Sequence, residues 1–177
     1  MSSEHDAAVL NVIFNPFLPL DDNSDKGILH MKDNDEDDKT LLPIKALERD
    51  GIEAAETGNF NAALKIFSKV IEAAPTRASG YNNRAQVYRL KGETEDAVMD
   101  LNKAIELSGG HGRSACQALC QRGLIFWKGG LTDEAKKDFE AAADLGSQFA
   151  KAQLVKLNPY AALCNQMLQT VFNNLYS

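Results

Sequence analysis

The sequence has few cysteines, and it has no long apolar run. Cys116, Cys120 and Cys164 are the three cysteines in 177 residues. Their odd number and spacing are not typical of a disulfide-stapled secreted domain. No run of about 18 or more apolar residues occurs, and the first residues lack a basic region followed by an apolar stretch. We therefore expect no transmembrane helix, no secretory signal and a cytoplasmic location.

Acidic residues outnumber basic ones, 25 to 19, and the excess negative charge is concentrated in one segment. The formal net charge is −6. Residues 1–39 contain ten acidic residues against three lysines, a net charge of −7, so the rest of the chain totals +1. Binding to DNA or RNA needs a cluster of basic side chains that neutralise phosphates. The absence of such a cluster argues against nucleic acid as a partner.

Groups able to support catalysis or metal binding are few. Cys116 and Cys120 lie one helical turn apart with His111 nearby, but a zinc site needs a fourth ligand or an open catalytic position. The Gly-Gly-His-Gly run at 109–112 lacks the Lys-Ser/Thr of a phosphate-binding loop and precedes no predicted strand. We therefore predict a non-enzymatic protein without a cofactor, a metal or a small-molecule substrate.

A calcium loop is suggested by alternating carboxylates and then excluded by their register. Asp33, Asp35 and Asp37 match the first ligands of such a loop. The glycine that the loop requires falls on Asp38, and the closing glutamate falls on Ile44. Calcium binding at this segment is therefore not expected.

The most informative pattern that is present returns three times. Gly58 and Gly92 are 34 residues apart, as are Ala63 and Ala97, and Ala135 follows Ala97 after 38 residues. The third unit therefore carries a four-residue insert, which we assign to a flexible connection around residues 107–115. Each unit is expected to contain two antiparallel helices, at about 45–57 and 61–73, 79–91 and 95–107, and 117–129 and 133–145. The prediction is an all-α fold.

These repeats resemble the tetratricopeptide repeat family, in which small residues allow two helices to pack closely and aromatics fill the space between units. The matching positions are Leu47, Gly51, Ala54, Ala63, Phe67, Val70 and Pro75; Tyr81, Ala85, Tyr88, Ala97, Leu101 and Ala104; and Leu119, Gly123, Phe126, Ala135, Phe139 and Ala142. Gly109 and Ser147 replace the family's last proline. The resemblance implies a three-unit solenoid, in which these residues form the core.

The sequence outside the repeats divides the chain further. We expect a short amphipathic helix within residues 1–16, an acidic flexible linker at 17–43, repeats at 44–77 and 78–111, an insert with the third repeat at 112–149, and capping helices at 150–177. In the first cap, from Gln148 to Leu157, the inward residues are predicted to be Phe149, Ala152 and Leu154. The N-terminal helix is expected to dock on the repeats or on a partner.

Four segments are similar to a narrower group within the family: AVLNVIFNP at 8–16, YNNRAQVYRLKG at 81–92, LSGGHGRSA at 107–115 and LVKLNPYAALCNQML at 154–168. This resemblance implies a small soluble adaptor associated with Hsp70 chaperones and with protection of an enzyme of tyrosine catabolism. A structural subunit of an assembly or transport complex is the alternative. We expect protein partners and a monomeric state.

A polar groove is the predicted binding site. Its expected lining is Asn82, Asn83, Gln86, Arg89, Gln117, Cys120, Gln121, Leu124, Trp127 and Lys128. Side-chain amides can pair with the backbone of a bound peptide, and Arg89 and Lys128 can donate hydrogen bonds to a carboxylate. A solvated face is the alternative, and Trp127 could instead pack against the terminal helices.

The resemblance also permits a test of chaperone binding. Many repeats of this family bind a chaperone's C-terminal carboxylates with a clamp of lysine, asparagine and arginine side chains. Here the clamp positions hold Glu48, Ile52, Asn83, Gln117 and Gln121. Asn83 alone matches, and Glu48 has the opposite charge, so we expect any Hsp70 binding to avoid the usual clamp.

Overall fold

The computed structural model describes Asp33, residues 39–158, Tyr160 and Met167, and the regular structure within these residues is helical. A 3-10 turn at Lys39–Leu41 precedes seven helices: α1 (Leu42–Glu56), α2 (Phe60–Ala73), α3 (Ala78–Lys91), α4 (Thr94–Leu107), α5 (Gly112–Lys128), α6 (Thr132–Asp144) and α7 (Gln148–Leu157). Each helix packs on the next, and α3 also contacts α1 and α5. The predicted all-α solenoid of three helix-turn-helix units is confirmed.

Some expectations fall outside the described residues. The predicted N-terminal helix lies outside them, as does the acidic linker before Lys39 apart from Asp33. The part of the predicted capping segment after Asn158 is described only at Tyr160 and Met167. Over the described part of the chain, no helix combines the length and the apolar character needed to cross a bilayer.

The core repeats one packing arrangement with different side chains. A small residue on the first helix of each unit faces a large one on the second: Gly51 with Phe67, Ala85 with Leu101, and Gly123 with Phe139. A Cβ atom added to Gly51 would lie 2.7 Å from Phe67 Cε1, and one added to Gly123 would lie 2.9 Å from Phe139 Cε1. The two phenylalanine rings therefore pack directly on helix backbone, as the assignment of these positions to the core requires.

The turns within the units depend on glycine at equivalent positions. Gly58, Gly92 and Gly130 have φ angles of 77°, 83° and 79°. This left-handed conformation is strained for residues with a Cβ atom. Because the backbone of Gly92 ends α3 in this conformation, α4 can fold back at once against α3.

The four-residue insert of the third unit is helical at its end, which corrects the prediction of a flexible connection there. Helix α5 begins at Gly112, whereas the repeat spacing predicted a start near residue 117. It has 17 residues, against 15 in α1 and 14 in α3. Residues 112–115 therefore add one turn to α5, and Ser114 and Ala115 in that turn are buried.

An acidic residue far away in sequence caps this added turn. Asp33 Oδ1 accepts a hydrogen bond from the backbone N–H of Ser114 at 2.9 Å, and Asp33 Oδ2 accepts one from the Ser114 hydroxyl at 2.6 Å. The residue at the start of α5, His111, makes no side-chain cap. A carboxylate is favourable at this position because unpaired N–H groups and the positive end of the helix dipole meet there. Asp33, which lies in the predicted flexible linker, is therefore in contact with the start of α5.

We expect Asp33→Ala to lower the free energy of unfolding by about 1 kcal/mol, the usual cost of losing a helix cap. Amide hydrogen exchange at Ser114 should become faster, because the N–H loses its acceptor. The Ser114→Ala variant provides a double-mutant cycle with Asp33→Ala. Fully additive effects of the two substitutions, measured by urea denaturation, would contradict the assigned contact.

Helix α7 covers the end of the third unit as predicted, and two of its three predicted inward residues, Phe149 and Leu154, pack against the core there. Ala150 and Gln153 are buried, Phe149 and Leu154 are half-buried, and Ala152 is exposed. The inward assignment of Ala152 was therefore wrong. Ser147 starts the helix by accepting a hydrogen bond from the Ala150 N–H at 3.1 Å, which fixes the rotation of α7 about its axis.

Candidate groove for protein segments

Helices α3 and α5 are linked by a bridge of side-chain amides. Asn82 Nδ2 donates to Gln117 Oε1 at 3.2 Å, and Gln121 Nε2 donates to Asn82 Oδ1 at 2.9 Å. Asn82 is 3% exposed and Gln121 1% exposed. Burying polar groups is tolerated when they pair with one another. Three of the predicted groove residues are therefore brought together by the structure, and the bridge fixes their orientation.

Two amide atoms, one in the bridge and one on the neighbouring Gln86, have no hydrogen-bond partner. Gln121 Oε1 and Gln86 Nε2 are inaccessible to solvent and make no hydrogen bond. Each unpaired buried polar group of this kind costs about 1–3 kcal/mol. One atom is an acceptor and the other is a donor, the combination that pairs with the N–H and C=O of an extended peptide backbone.

Arg89 lies one turn beyond Gln86 on α3 and is held by it. Arg89 Nη2 donates to Gln86 Oε1 at 3.1 Å, while its Nε is buried without a partner. Burial lowers the pKa of the Arg89 guanidinium below its usual value. Within the described part of the chain, no carboxylate lies within ion-pair distance of Arg89. The guanidinium is thus an oriented cation whose charge is not neutralised.

The unpaired amide atoms border a hollow that we call the groove. Its lining comes from three helices side by side and from one aromatic ring of α2: Ile52, Ala55, Phe67, Asn82, Asn83, Gln86, Val87 and Gln121. The apolar members come mainly from the first unit, and the amides come from α3 and α5. A peptide lying here would therefore meet an apolar wall on one side and amides on the other.

Of the remaining predicted site residues, Asn83 lines the groove and Gln117 belongs to the bridge, whereas Leu124, Trp127 and Lys128 are not part of the groove lining. Asn83, Gln117 and Leu124 are half-buried, and Leu124 packs against the core of the third unit. Trp127 is 39% exposed and Lys128 is exposed, at the C-terminal end of α5. These five residues remain predictions as binding residues.

Two cysteines that the sequence placed near possible sites belong to the core. Cys120 is 4% exposed with its Sγ 3.4 Å from Ser147 Oγ, and Cys116 Sγ lies 3.8 Å from the Ala142 carbonyl oxygen. The expectation that Cys120 lines the groove is therefore wrong. His111 is exposed and its Nδ1 lies 2.6 Å from the Gly109 carbonyl oxygen.

The clamp position with the wrong charge is occupied by an internal ion pair. Glu48, 7% exposed, accepts two hydrogen bonds from Arg77, from Nε to Oε1 and from Nη2 to Oε2, each 3.1 Å long. The Ser79 hydroxyl also donates to Glu48 Oε1. This cluster ties the middle of α1 to the start of α3. Glu48 is consequently committed to packing between units, and the site lacks the lysine that a carboxylate clamp would require there.

Sequence reasoning missed a pair of repeated ion pairs between helices. Arg84 binds Asp100 through two hydrogen bonds of 2.7 and 2.8 Å, and Arg122 binds Asp138 through two of 2.8 and 2.7 Å. The hydrogen bond to Asp100 is the main reason that the pKa of Arg84 is raised above its usual value. Both pairs repeat at the same 38-residue spacing as the core residues, which was the signal available in the sequence. Their carboxylates are internal, so neither arginine is available as a binding cation.

A model of the tetratricopeptide repeat family matches residues 78–111 and 117–146. The chain is 51% identical to tetratricopeptide repeat protein 36 of Danio rerio over 99% of this chain and 95% of that protein. It is 48% identical to the Homo sapiens protein of the same name, over 99% of this chain and 96% of that protein. The similarity therefore extends over nearly the whole of each chain.

Two solved structures of similar fold contain chaperone peptides. The first repeat domain of Spaghetti (RPAP3) bound to the HSP90 peptide SRMEEVD is 26% identical with a TM-score of 0.59, over 67% of this chain and 93% of that chain. The second repeat domain of human RPAP3 in complex with the HSP70 peptide SGPTIEEVD is 30% identical with a TM-score of 0.55, over 64% and 94%. Peptide binding is thus found in structures similar to this one.

Proposed function

The chain belongs to the tetratricopeptide repeat protein 36 family, and on this basis we propose that it is a non-enzymatic adaptor that binds segments of other proteins in its groove. The observation that carries the proposal is the unpaired donor and acceptor of Gln86 and Gln121 beside the groove. Because both atoms are closed to solvent, a peptide backbone reaches them only when the two glutamine side chains turn toward the groove, and it would then recover free energy lost by their burial. On a helix face that is simply solvated, water would pair with these two amide atoms, so the alternative does not explain why they are buried without a partner.

The identity of the bound proteins is a further step of the same proposal. The family resemblance puts Hsp70 and an enzyme of tyrosine catabolism among the candidate partners, with the adaptor acting as a chaperone-associated factor or as a protector of that enzyme. Both roles require binding and no catalysis. The residues that line the groove include no nucleophile with an adjacent base. Cytoplasmic location, a monomeric state and the six-segment division of the chain remain predictions.

Capture of partners from cytosol tests the adaptor function. The intact protein and a triple variant, Asn83→Ala with Arg89→Ala and Lys128→Ala, would be compared by quantitative mass spectrometry. Partners lost with the triple variant support the groove. Partners unchanged by it contradict the groove as the site, and constant co-purification at fixed stoichiometry would favour a structural subunit. The exposed Arg49, changed to Ala, is the control for lost charge.

We expect the peptide SGPTIEEVD, which the human RPAP3 domain binds, not to bind this chain with micromolar affinity. A micromolar complex requires about 8 kcal/mol, and each charge-assisted hydrogen bond contributes about 1.5–3 kcal/mol. Four of the five clamp positions lack the required side chain. Fluorescence anisotropy should show that any weak binding is unchanged when the C-terminal carboxylate is amidated.

A gain-of-function variant tests the same prediction from the opposite direction, by restoring cations of the clamp. Gln117→Lys combined with Gln121→Arg introduces two of the missing clamp cations and should strengthen binding of the free-acid peptide but not of the amidated one. Micromolar binding of the free-acid peptide by the unchanged protein, lost on Asn83→Ala, would show that a clamp operates without those cations.

A further inference from the structure

The position of Arg89 restricts the kind of segment that fits the groove, and this restriction rests on the proposed function. Three other arginines of the described residues, Arg77, Arg84 and Arg122, each bind an internal carboxylate through two hydrogen bonds. Arg89 instead donates to an amide oxygen and keeps a buried, unpaired Nε. A guanidinium presents a rigid fork that matches one carboxylate. The missing partner is therefore an anion supplied from outside this network.

Gln86 couples this cation to the backbone-binding amides. Its Oε1 accepts from Arg89, so its Nε2 is the atom left to donate. On the opposite side, Gln121 Nε2 is engaged by Asn82, so Gln121 Oε1 is the atom left to accept. The internal hydrogen bonds thus fix which end of each amide is available. Both side chains are at least nine-tenths buried, which prevents easy reversal.

The spacing along α3 sets the distance between the two kinds of contact. Gln86 and Arg89 are three residues apart, a rise of about 4.5 Å along a helix. An extended peptide advances about 3.3 Å per residue. A carboxylate reaching Arg89 therefore belongs to a side chain one or two residues from the peptide group bound by Gln86 and Gln121.

We propose that the groove recognises an internal, extended protein segment that carries an aspartate or glutamate opposite Arg89, and that it does not read a free C-terminus. A terminal carboxylate next to an acidic side chain would bring two or more negative charges, as in the chaperone peptides. Arg89 lies beside the groove, one turn from Gln86, as a cation without a carboxylate partner among the described residues, and the polar residues that line the groove are neutral amides. One internal acidic side chain matches this charge, and the amides bind the backbone on one side of it.

The test uses pools of random nine-residue peptides on the immobilised full-length protein. One pool has glutamate fixed at the centre and both ends capped by acetyl and amide groups. A second is identical with glutamine at the centre, and a third has central glutamine with a free C-terminal carboxylate. Retained peptides are quantified by mass spectrometry. We expect the capped glutamate pool to be retained about tenfold better than either other pool, a difference of about 1.4 kcal/mol.

Variants test the preference for glutamate separately from the ability of the groove to bind peptides. Arg89→Gln should remove the preference for glutamate, so that the capped glutamate and capped glutamine pools are retained equally, and Arg49→Gln, at an exposed site on α1, should leave the preference intact. Arg89→Lys keeps a charge without the fork and should give an intermediate preference. Thermal melting of each variant checks that the fold is retained.

The outcomes distinguish the two proposals. If the unchanged protein retains no pool above a blank surface, the proposed function is wrong. If all pools are retained equally, or the glutamate preference survives Arg89→Gln, the groove binds peptides but the role of Arg89 is wrong. Better retention of the free-acid pool than of the capped glutamate pool would overturn the assignment to internal segments.

Discussion

Replacing Phe139 by alanine should lower the free energy of unfolding by about 3–5 kcal/mol, the usual cost of removing a buried phenylalanine side chain. Phe139 is fully buried, lies directly on α5 at Gly123, and packs edge-on to Phe149 with ring centroids 6.3 Å apart. The third unit therefore cannot close the cavity without moving α5 or α7. Urea denaturation followed by circular dichroism measures the loss, and thermal melting should shift down by at least about 6 °C.

The repeats supply a matched control for this prediction. The second unit uses Ala85 with Leu101 where the third uses Gly123 with Phe139. Gly123→Ala alone should be destabilising, because the new Cβ would lie 2.9 Å from the ring. Adding Phe139→Leu recreates the combination of the second unit and should recover part of the loss. If the double variant is no more stable than the sum of the single effects predicts, the two positions do not share one space.

The repeat spacing was sufficient to predict the helices, because small residues, turns and large residues recur in a fixed order. Predicted and observed starts of α2, α3, α4 and α6 differ by one residue. The start of α5 was missed by five residues. The spacing shows that four residues are added, but it does not show whether they lie in the loop or in a helix. In the structure they extend a helix whose first turn is capped by Asp33, 81 residues from Ser114, a contact that no local pattern could indicate.

The groove was predicted as a set of polar positions, but its chemistry depends on pairing between helices. The sequence placed Asn82, Gln86, Arg89 and Gln121 on one face. It could not indicate that Asn82 would use both ends of its amide on α5, or that Gln86 would orient Arg89. These pairings depend on how α3 and α5 approach each other. They decide which atoms are left to bind a peptide.

The second large effect is expected at the ion pair between Glu48 and Arg77. Both side chains are 9% exposed, and they form two hydrogen bonds of 3.1 Å. Arg77→Met would leave the Glu48 carboxylate buried without its countercharge, with only the Ser79 hydroxyl still donating. Breaking a buried pair in this way costs about 3–5 kcal/mol. We expect a loss of this size in the free energy of unfolding, measured by urea denaturation at neutral pH.

Removing both charges distinguishes the cost of an unpaired charge from the benefit of the pair. The double variant Glu48→Met with Arg77→Met should be clearly more stable than Arg77→Met alone, because two apolar side chains of similar volume often replace a buried pair at little cost. The exposed pair of Lys103 and Glu106 is the control, and Lys103→Met there should change stability by less than about 1 kcal/mol. If the double variant is as unstable as Arg77→Met, the ion pair stabilises the fold by more than the cost of burying its two charges. Either result bears on function, since a lysine at position 48, which a carboxylate clamp needs, would face Arg77 and meet the same penalty with two positive charges.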